Sequence, residues 1–215
     1  MDLCIVTTYA SEFDKYEPAY AAFLRQVELE TKRTNAIANM GNETSAGFLQ
    51  IVRSRQRWTK ENGQIALLMD NAIGSIVGIS AVETSTLNPN YGSGGNRCWL
   101  LPMYRQNNAV SNYLLASNLQ WCIDNQKQGM ILTFNDYNKW LYDAICKLSS
   151  GKGAALGTVW SNWWNDCIPL PRKVRLHNTP QWAVIKPIAK STVVHADALT
   201  LDQRFGVRDK PFIIT

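Results

Sequence analysis

Histidine is scarce in this chain, paired cysteines are missing, and no long apolar run occurs; each shortage removes a class of protein. The two histidines, His177 and His195, stand apart from any H-x-x-H or H-E-x-x-H spacing and from clustered carboxylates, so no metal ligand is assigned. Cys4, Cys98, Cys122, Cys146 and Cys167 are odd in number, lie in apolar segments and form no C-x-x-C. They suit a reducing compartment better than a disulfide framework. No stretch approaches the roughly 20 apolar residues of a membrane helix, and Met1-Asp2-Leu3-Cys4 opens no basic region followed by an apolar run. A cytoplasmic protein with no membrane partner is expected. Nucleophile-elbow, P-loop and G-x-G-x-x-G patterns are also missing, which argues against a hydrolase, an NTPase or a dinucleotide enzyme.

What is present is a chain of 215 residues, 46% hydrophobic, enough to bury one sizeable core. We read 1–189 as a single domain and 190–215 as a C-terminal tail or arm. The formal charge of +5 favours a polyanionic partner, either nucleic acid or the phosphates of a nucleotide cofactor. The sequence does not specify an oligomeric state.

Residues 3–8 form a short β run. Ser11-Glu12-Phe13-Asp14 offers an S-x-x-D helix start, and Tyr16, Tyr20, Phe23, Leu24 and Val27 follow at helical spacing. A second helix is expected over 45–60, with an apolar stripe of Phe48, Ile51, Val52 and Trp58 and with Arg53, Arg55, Arg57 and Lys60 on its remaining surface. Strands 64–69 and 73–83 meet at Asp70-Asn71-Ala72. Residues 87–95, with Asn-Pro-Asn and Gly-Ser-Gly-Gly, are a loop by composition. A strand over 97–104, a helix over 110–126, a strand over 130–134 and a helix over 137–148 complete the order β-α-α-β-β-β-α-β-α. A Ser/Gly/Lys linker over 149–153, an aromatic stretch over 159–164 and strands at 173–176 and 182–185 follow.

The strand, loop and helix over 96–126 carry the chemistry. Where a strand opens into a helix, unpaired backbone N–H groups can bind phosphate. Here the junction is Arg105-Gln106-Asn107-Asn108-Ala109-Val110-Ser111. Its spacing resembles the pyrophosphate loop Q/R-x-x-G-x-G/A of GNAT acyltransferases, with Gln106 first and Ala109 and Ser111 at the small positions; the glycines are absent. Asn135 and Tyr142 match that family's N-x-x-x-x-x-x-Y pattern. The resemblance implies a GNAT acyl-CoA N-acyltransferase-like α/β fold, with a central mixed, mostly antiparallel sheet flanked by helices. It also implies acetyl-CoA or another phosphate-bearing acyl donor, held by Gln106, Asn108, Ala109, Ser111 and Asn135. Tyr142 would then be the acid that protonates the thiolate leaving group. A plain packing role suits Tyr142 too.

A narrower resemblance covers 95–164. Asn96-Arg97, Asn108-x-x-Ser111, Phe134-x-Asp136, Gly157-Thr158-Val159-Trp160 and Asn162-Trp163-Trp164 are similar, in that order, to the Mom-type proteins by which bacteriophages modify adenine in their DNA. The family's Gly-Thr-Ile-Tyr reads Gly-Thr-Val-Trp here, so an indole, Trp160, replaces a phenol that could exchange a proton. This likeness implies DNA as a partner, within the host cell.

Asp136, at a strand end, is expected either to take a proton from or orient an attacking amine, or to cap the following helix. Arg97 would pair with Asp136, with an anionic ligand, or in a plain edge salt bridge. Glu83, ending its strand, is a reserve base. Ser111 either donates to a phosphate or caps its helix. Trp160, Trp163 and Trp164, among basic residues, would stack on a base swung out of a duplex if exposed, and otherwise pack the core. Three functions follow: adenine modification in DNA, conventional acyl transfer to a small amine or protein lysine, or an inactive phage protein of this fold serving in the virion or inhibiting a host protein.

Overall fold

The computed structural model describes residues 2–34, 46–105, 108–151, 163–176 and 179–188. Its strands are β1 (Leu3–Thr8), β2 (Gly63–Asp70), β3 (Ser75–Thr84), β4 (Tyr91–Leu100), β5 (Gly129–Phe134), β6 (Ile168–Pro169), β7 (Val174–Leu176) and β8 (Thr179–Pro187). Its helices are α1 (Glu17–Thr34), α2 (Ala46–Ser54), the single turn α3 (Pro102–Arg105), α4 (Asn108–Asp124) and α5 (Lys139–Ser149). The sheet runs β1-β2-β3-β4-β5-β8-β6, with β7 pairing to β8. The β4–β5 ladder is parallel and the other ladders are antiparallel. This is the mixed, mostly antiparallel sheet that the sequence implied.

Every residue of β2 is buried, which requires cover on both faces of the sheet. Gly78 and Ser80 of β3 face α4: a Cβ on Gly78 would lie 3.2 Å from Leu114, and Asn118 Nδ2 donates to Ser80 Oγ at 2.7 Å. Alternation turns Val77, Ile79 and Ala81, all buried, to the other face, and α1 also packs on this strand. Helix α4 is buried on most of its circumference, Asn112 and Asn118 included.

The core falls into two clusters. One gathers β1, β2, α1 and the start of α4; the other gathers the rest of α4 with β5, α5, Trp163 and Trp164. Strand β4 lies between them, and its glycines admit close neighbours. A Cβ on Gly92 would lie 2.3 Å from Cys122 Sγ, and one on Gly94 would lie 1.9 Å from Met130 Sδ.

Several boundaries differ from expectation. The glycine-rich stretch assigned to a loop is the first half of β4, because glycine there answers to packing rather than turning. The strand ends at Leu100, and Pro102 opens α3, so 97–104 is not one strand. Ser11 caps nothing: the first helical segment is 3₁₀, Ala10–Tyr16, with Tyr9 at its N-cap and no side-chain cap bond. Helix α2 stops at Ser54, and Arg55 and Trp58 take left-handed φ of 54° and 55°. Trp58 is nonetheless wholly buried, and its carbonyl accepts from Ala10 N–H at 3.1 Å. The basic residues around it are paired: Arg53 with Glu17, Arg55 with Asp14, Arg57 with Glu83 and Lys60 with Glu12. The expected arm over 190–215 lies outside the described residues, as do 152–162 and with them the end of the linker and most of the aromatic stretch.

Candidate functional site

The parallel strands β4 and β5 part company. They pair from Tyr91 with Gly129 to Gly94 with Leu132 and no further. Beyond that point β4 stays with β3, through Asn96, Trp99 and Leu100, and β5 stays with β8 as far as Phe134 opposite Trp182. Two register shifts accompany the parting: Glu83, Ala81 and Ile79 of β3 pair with Ser93, Asn96 and Trp99 of β4, so β4 advances one extra residue at each step. Such bulges bend a strand and raise its twist. The result is a cleft at the carboxyl ends of two parallel strands, the position at which α/β sheets bind ligands. Asn96 and Arg97 lie on the diverging part of β4, and α4 starts at Asn108 beyond its end. The backbones of Asn108 and Ala109 are in α4, Ser111 is half-buried in its first turn, and Gln106 lies outside the described residues.

The chain leaving β4 is fixed by Arg105. Its Nε donates to the Leu100 carbonyl at 2.7 Å, its two terminal nitrogens donate to Glu30 at 2.6 and 2.9 Å, and its guanidinium lies 4.7 Å from the Trp99 ring centre. Tyr104, next to it, donates from its buried hydroxyl to Asp70 Oδ2 at 2.7 Å. Together these bonds anchor the approach to α4 against α1 and the β2–β3 turn.

The rim at the end of β5 is polar. Asn135, rather than Asp136, caps the next turn: its side chain accepts from the Asn138 N–H at 3.0 Å. That leaves Asp136 exposed, with Oδ1 accepting from Lys173 Nζ at 2.7 Å and from Trp182 Nε1 at 3.1 Å. The hydrogen bond from Lys173, then the indole N–H, hold its carboxyl below the usual carboxylate range. Lys173 and Lys139 each place Nζ 5.1 Å from the Trp182 ring centre, and Lys139 also donates to Asp143. Behind them Tyr142 is buried, its ring centre 5.0 Å from that of Trp182, and its hydroxyl donates to the Leu170 carbonyl at 2.6 Å. Burial, and then Cys146 beside it, push this phenol up to about 12.

The remaining candidates lie elsewhere. Glu83 sits opposite Ser93, on the closed side of the parting point, buried and held by two hydrogen bonds from Arg57. Trp163 and Trp164 are core residues, 4% and 2% exposed and packed edge to face, so neither ring offers a face to a flipped base. Their apolar rings rank with Phe134, whose centroid is 6.2 Å from that of Trp164. Trp160 and the side chain of Arg97 lie outside the described residues. Sequence reasoning missed Lys173 and Trp182 as partners of Asp136. The pairing is encoded by the register of β5, β8 and β7, which composition does not reveal. Among the described residues no cluster of His, Cys, Asp and Glu can hold a metal, and no helix is long and apolar enough to cross a membrane.

No protein-family model matches the chain, and no curated protein matches it in sequence. Solved structures do. The chain is similar to an acetyltransferase of the GNAT family from Staphylococcus aureus Mu50, at 14% identity and a TM-score of 0.56, over 87% of this chain and 99% of that one. It is similar to the CoA-dependent acyl-homoserine lactone synthase BjaI, solved with SAM and isopentyl-CoA, at 11% identity and a TM-score of 0.51, over 99% and 94%. A protein from Exiguobacterium sp. 255-15 that was assigned as an acetyltransferase aligns at 10% identity and a TM-score of 0.51, over 92% and 99%. The chain therefore has the GNAT acyl-CoA N-acyltransferase-like fold. The narrower Mom-type resemblance rests on sequence motifs alone.

Proposed function

We propose that this protein is a transferase that moves an acyl group from an acyl-CoA-class thioester to an amine. The observation that carries this reading is the parting of β4 and β5 beyond Gly94 and Leu132, in the strand from whose end the chain passes to α4. Diverging strands expose backbone N–H and C=O edges that an amide-bearing chain can fill, while the first N–H groups of α4 suit the donor's phosphates. In the reaction the amine nitrogen attacks the thioester carbonyl, the C–N bond forms, the C–S bond breaks, and the proton lost by the amine balances the one gained by the thiolate.

Asp136 stands at the cleft rim as the group that receives the amine. Held anionic by Lys173 and Trp182, it is a weak base, so its role is to accept a hydrogen bond and orient the nitrogen. Tyr142 supplies the leaving group's proton only if its bond to the Leu170 carbonyl turns outward. The Mom-type motifs name the acceptor within this reading: the exocyclic amine of adenine in DNA.

A second reading, a GNAT fold without chemistry in a virion or inhibitory role, is favoured by one observation. Glu83 and Tyr142 are both engaged by bonds that hold the fold together. Calorimetry with acetyl-CoA and nucleoside mass spectrometry of DNA from expressing cells separate the two. Donor binding with a modified adenosine, lost in Asp136→Asn, supports the transferase. Absence of both donor binding and product refutes it.

A further inference from the structure

The distribution of unpaired charge identifies a second surface. In the N-terminal half the conspicuous cations are neutralised: Arg53, Arg55, Arg57, Lys60 and Arg105 each meet a carboxylate. Around the β7–β8 hairpin Lys173 meets Asp136, and on α5 Lys139 meets Asp143, but two arginines stand beside these pairs. Arg172 and Arg175 are exposed, and among the described residues no carboxylate engages either one. The register places Arg175 with the site, and Arg172 adjoins Lys173 in the chain. Arg175 pairs with Pro180 and Val174 with Gln181, so alternation puts Arg175 on the same side of the hairpin as Lys173, whose ammonium lies over Trp182. Trp182 carries a second ammonium, that of Lys139, and the next residue along α5, Trp140, is 57% exposed. Lys139, Lys173 and Asp136 thus meet around Trp182 at the carboxyl end of β5, with the exposed indole of Trp140 next to Lys139 in the chain.

We propose that this rim, Lys139, Trp140, Arg172, Lys173 and Arg175 around Trp182, is a contact surface for single-stranded nucleic acid. The arginines and lysines follow the phosphates, and Trp140 supplies a ring on which a base stacks. Trp163 and Trp164, buried in the core, take no part. The proposal rests on the transferase reading for its purpose, since it places a base next to Asp136. Its physical content is independent of that chemistry.

The test is fluorescence anisotropy with a labelled mixed-sequence single strand of about 20 nucleotides, in parallel with acetyl-CoA calorimetry. The wild-type chain binds the strand with a salt slope that falls by about 1.4 when both arginines become glutamine, Arg172→Gln with Arg175→Gln. Trp140→Ala weakens binding about tenfold. The control Arg53→Gln with Arg55→Gln leaves binding unchanged. The proposal is overturned if the strand does not bind at about 50 mM salt, if the control variants weaken binding equally, or if acetyl-CoA displaces the strand and loses affinity in the Arg172 and Arg175 variants. Strand binding with neither acetyl-CoA binding nor modified adenosine would sink the transferase reading and leave this surface standing; donor binding and product without strand binding would sink the surface alone.

Discussion

Replacing Arg57 with alanine tests how the N-terminal half is locked to the sheet. Arg57 follows α2 in a segment whose neighbours Arg55 and Trp58 both hold left-handed backbone. Its guanidinium donates through two nitrogens to the carboxylate of Glu83 and lies 4.7 Å from the Trp58 ring centre. Glu83 is 5% exposed. Removing one partner of a buried ion pair leaves a charge out of water without its counter-ion, which costs about 3–5 kcal/mol, more than the net worth of the pair. For a chain of this size, that loss lowers Tm by roughly 10 °C. Urea denaturation and calorimetry measure it, and two further variants fix its origin. Arg57→Met with Glu83→Gln removes both charges and recovers most of the loss, because the penalty belongs to the stranded carboxylate. Arg53→Ala, which breaks the exposed contact to Glu17, leaves the midpoint unchanged. A loss below about 1 kcal/mol in Arg57→Ala, or no recovery in the double variant, would refute the reasoning.

Three other outcomes follow from contacts at the site. Gly94→Ala drives a methyl against Met130 and costs about 1–3 kcal/mol, part of which Met130→Ala restores; a neutral Gly94→Ala would show that the two strands can spread there. Tyr142→Phe costs about 0.5–1.5 kcal/mol for the lost bond to Leu170, and a larger drop in turnover than in stability identifies the phenol as an acid. Lys173→Met moves the titration of Asp136 upward, followed by carbon NMR of the carboxyl. Because the folded-state carboxyl is depressed, the ion pair's contribution is present above the usual carboxylate range and is lost as pH falls through the folded value. The variant therefore shows a flatter acid limb of stability, and an unmoved Asp136 would contradict the assigned cause.

Much of the fold was legible along the chain. The apolar runs of β2 and β3, the helical spacing of α1 and α4, and the strand before Asn135 are local patterns, set by which residues must be buried at a period of two or of 3.6. The spacing of Gln106, Ala109 and Ser111 pointed to the GNAT-like fold, and structural similarity agrees. Glycine misled the reading of β4. Gly-Ser-Gly-Gly says turn when only the backbone is considered, whereas Gly92 and Gly94 are there to admit Cys122 from α4 and Met130 from β5.

Tertiary structure alone decided the site. No local pattern announces that β4 bulges twice and leaves β5, that Asn135 and not Asp136 caps the turn, or that the register of β5, β8 and β7 sets Trp182 and Lys173 beside Asp136. It also sorted like residues by environment, sending Trp163 and Trp164 into the core while Trp140 stays at the surface. The sequence by itself determined which segments had to be buried, because hydrophobic periodicity is a property of neighbours in the chain. Which side chains meet was decided by strand register and by the sharing of counter-charges, and those depend on residues far apart along the chain.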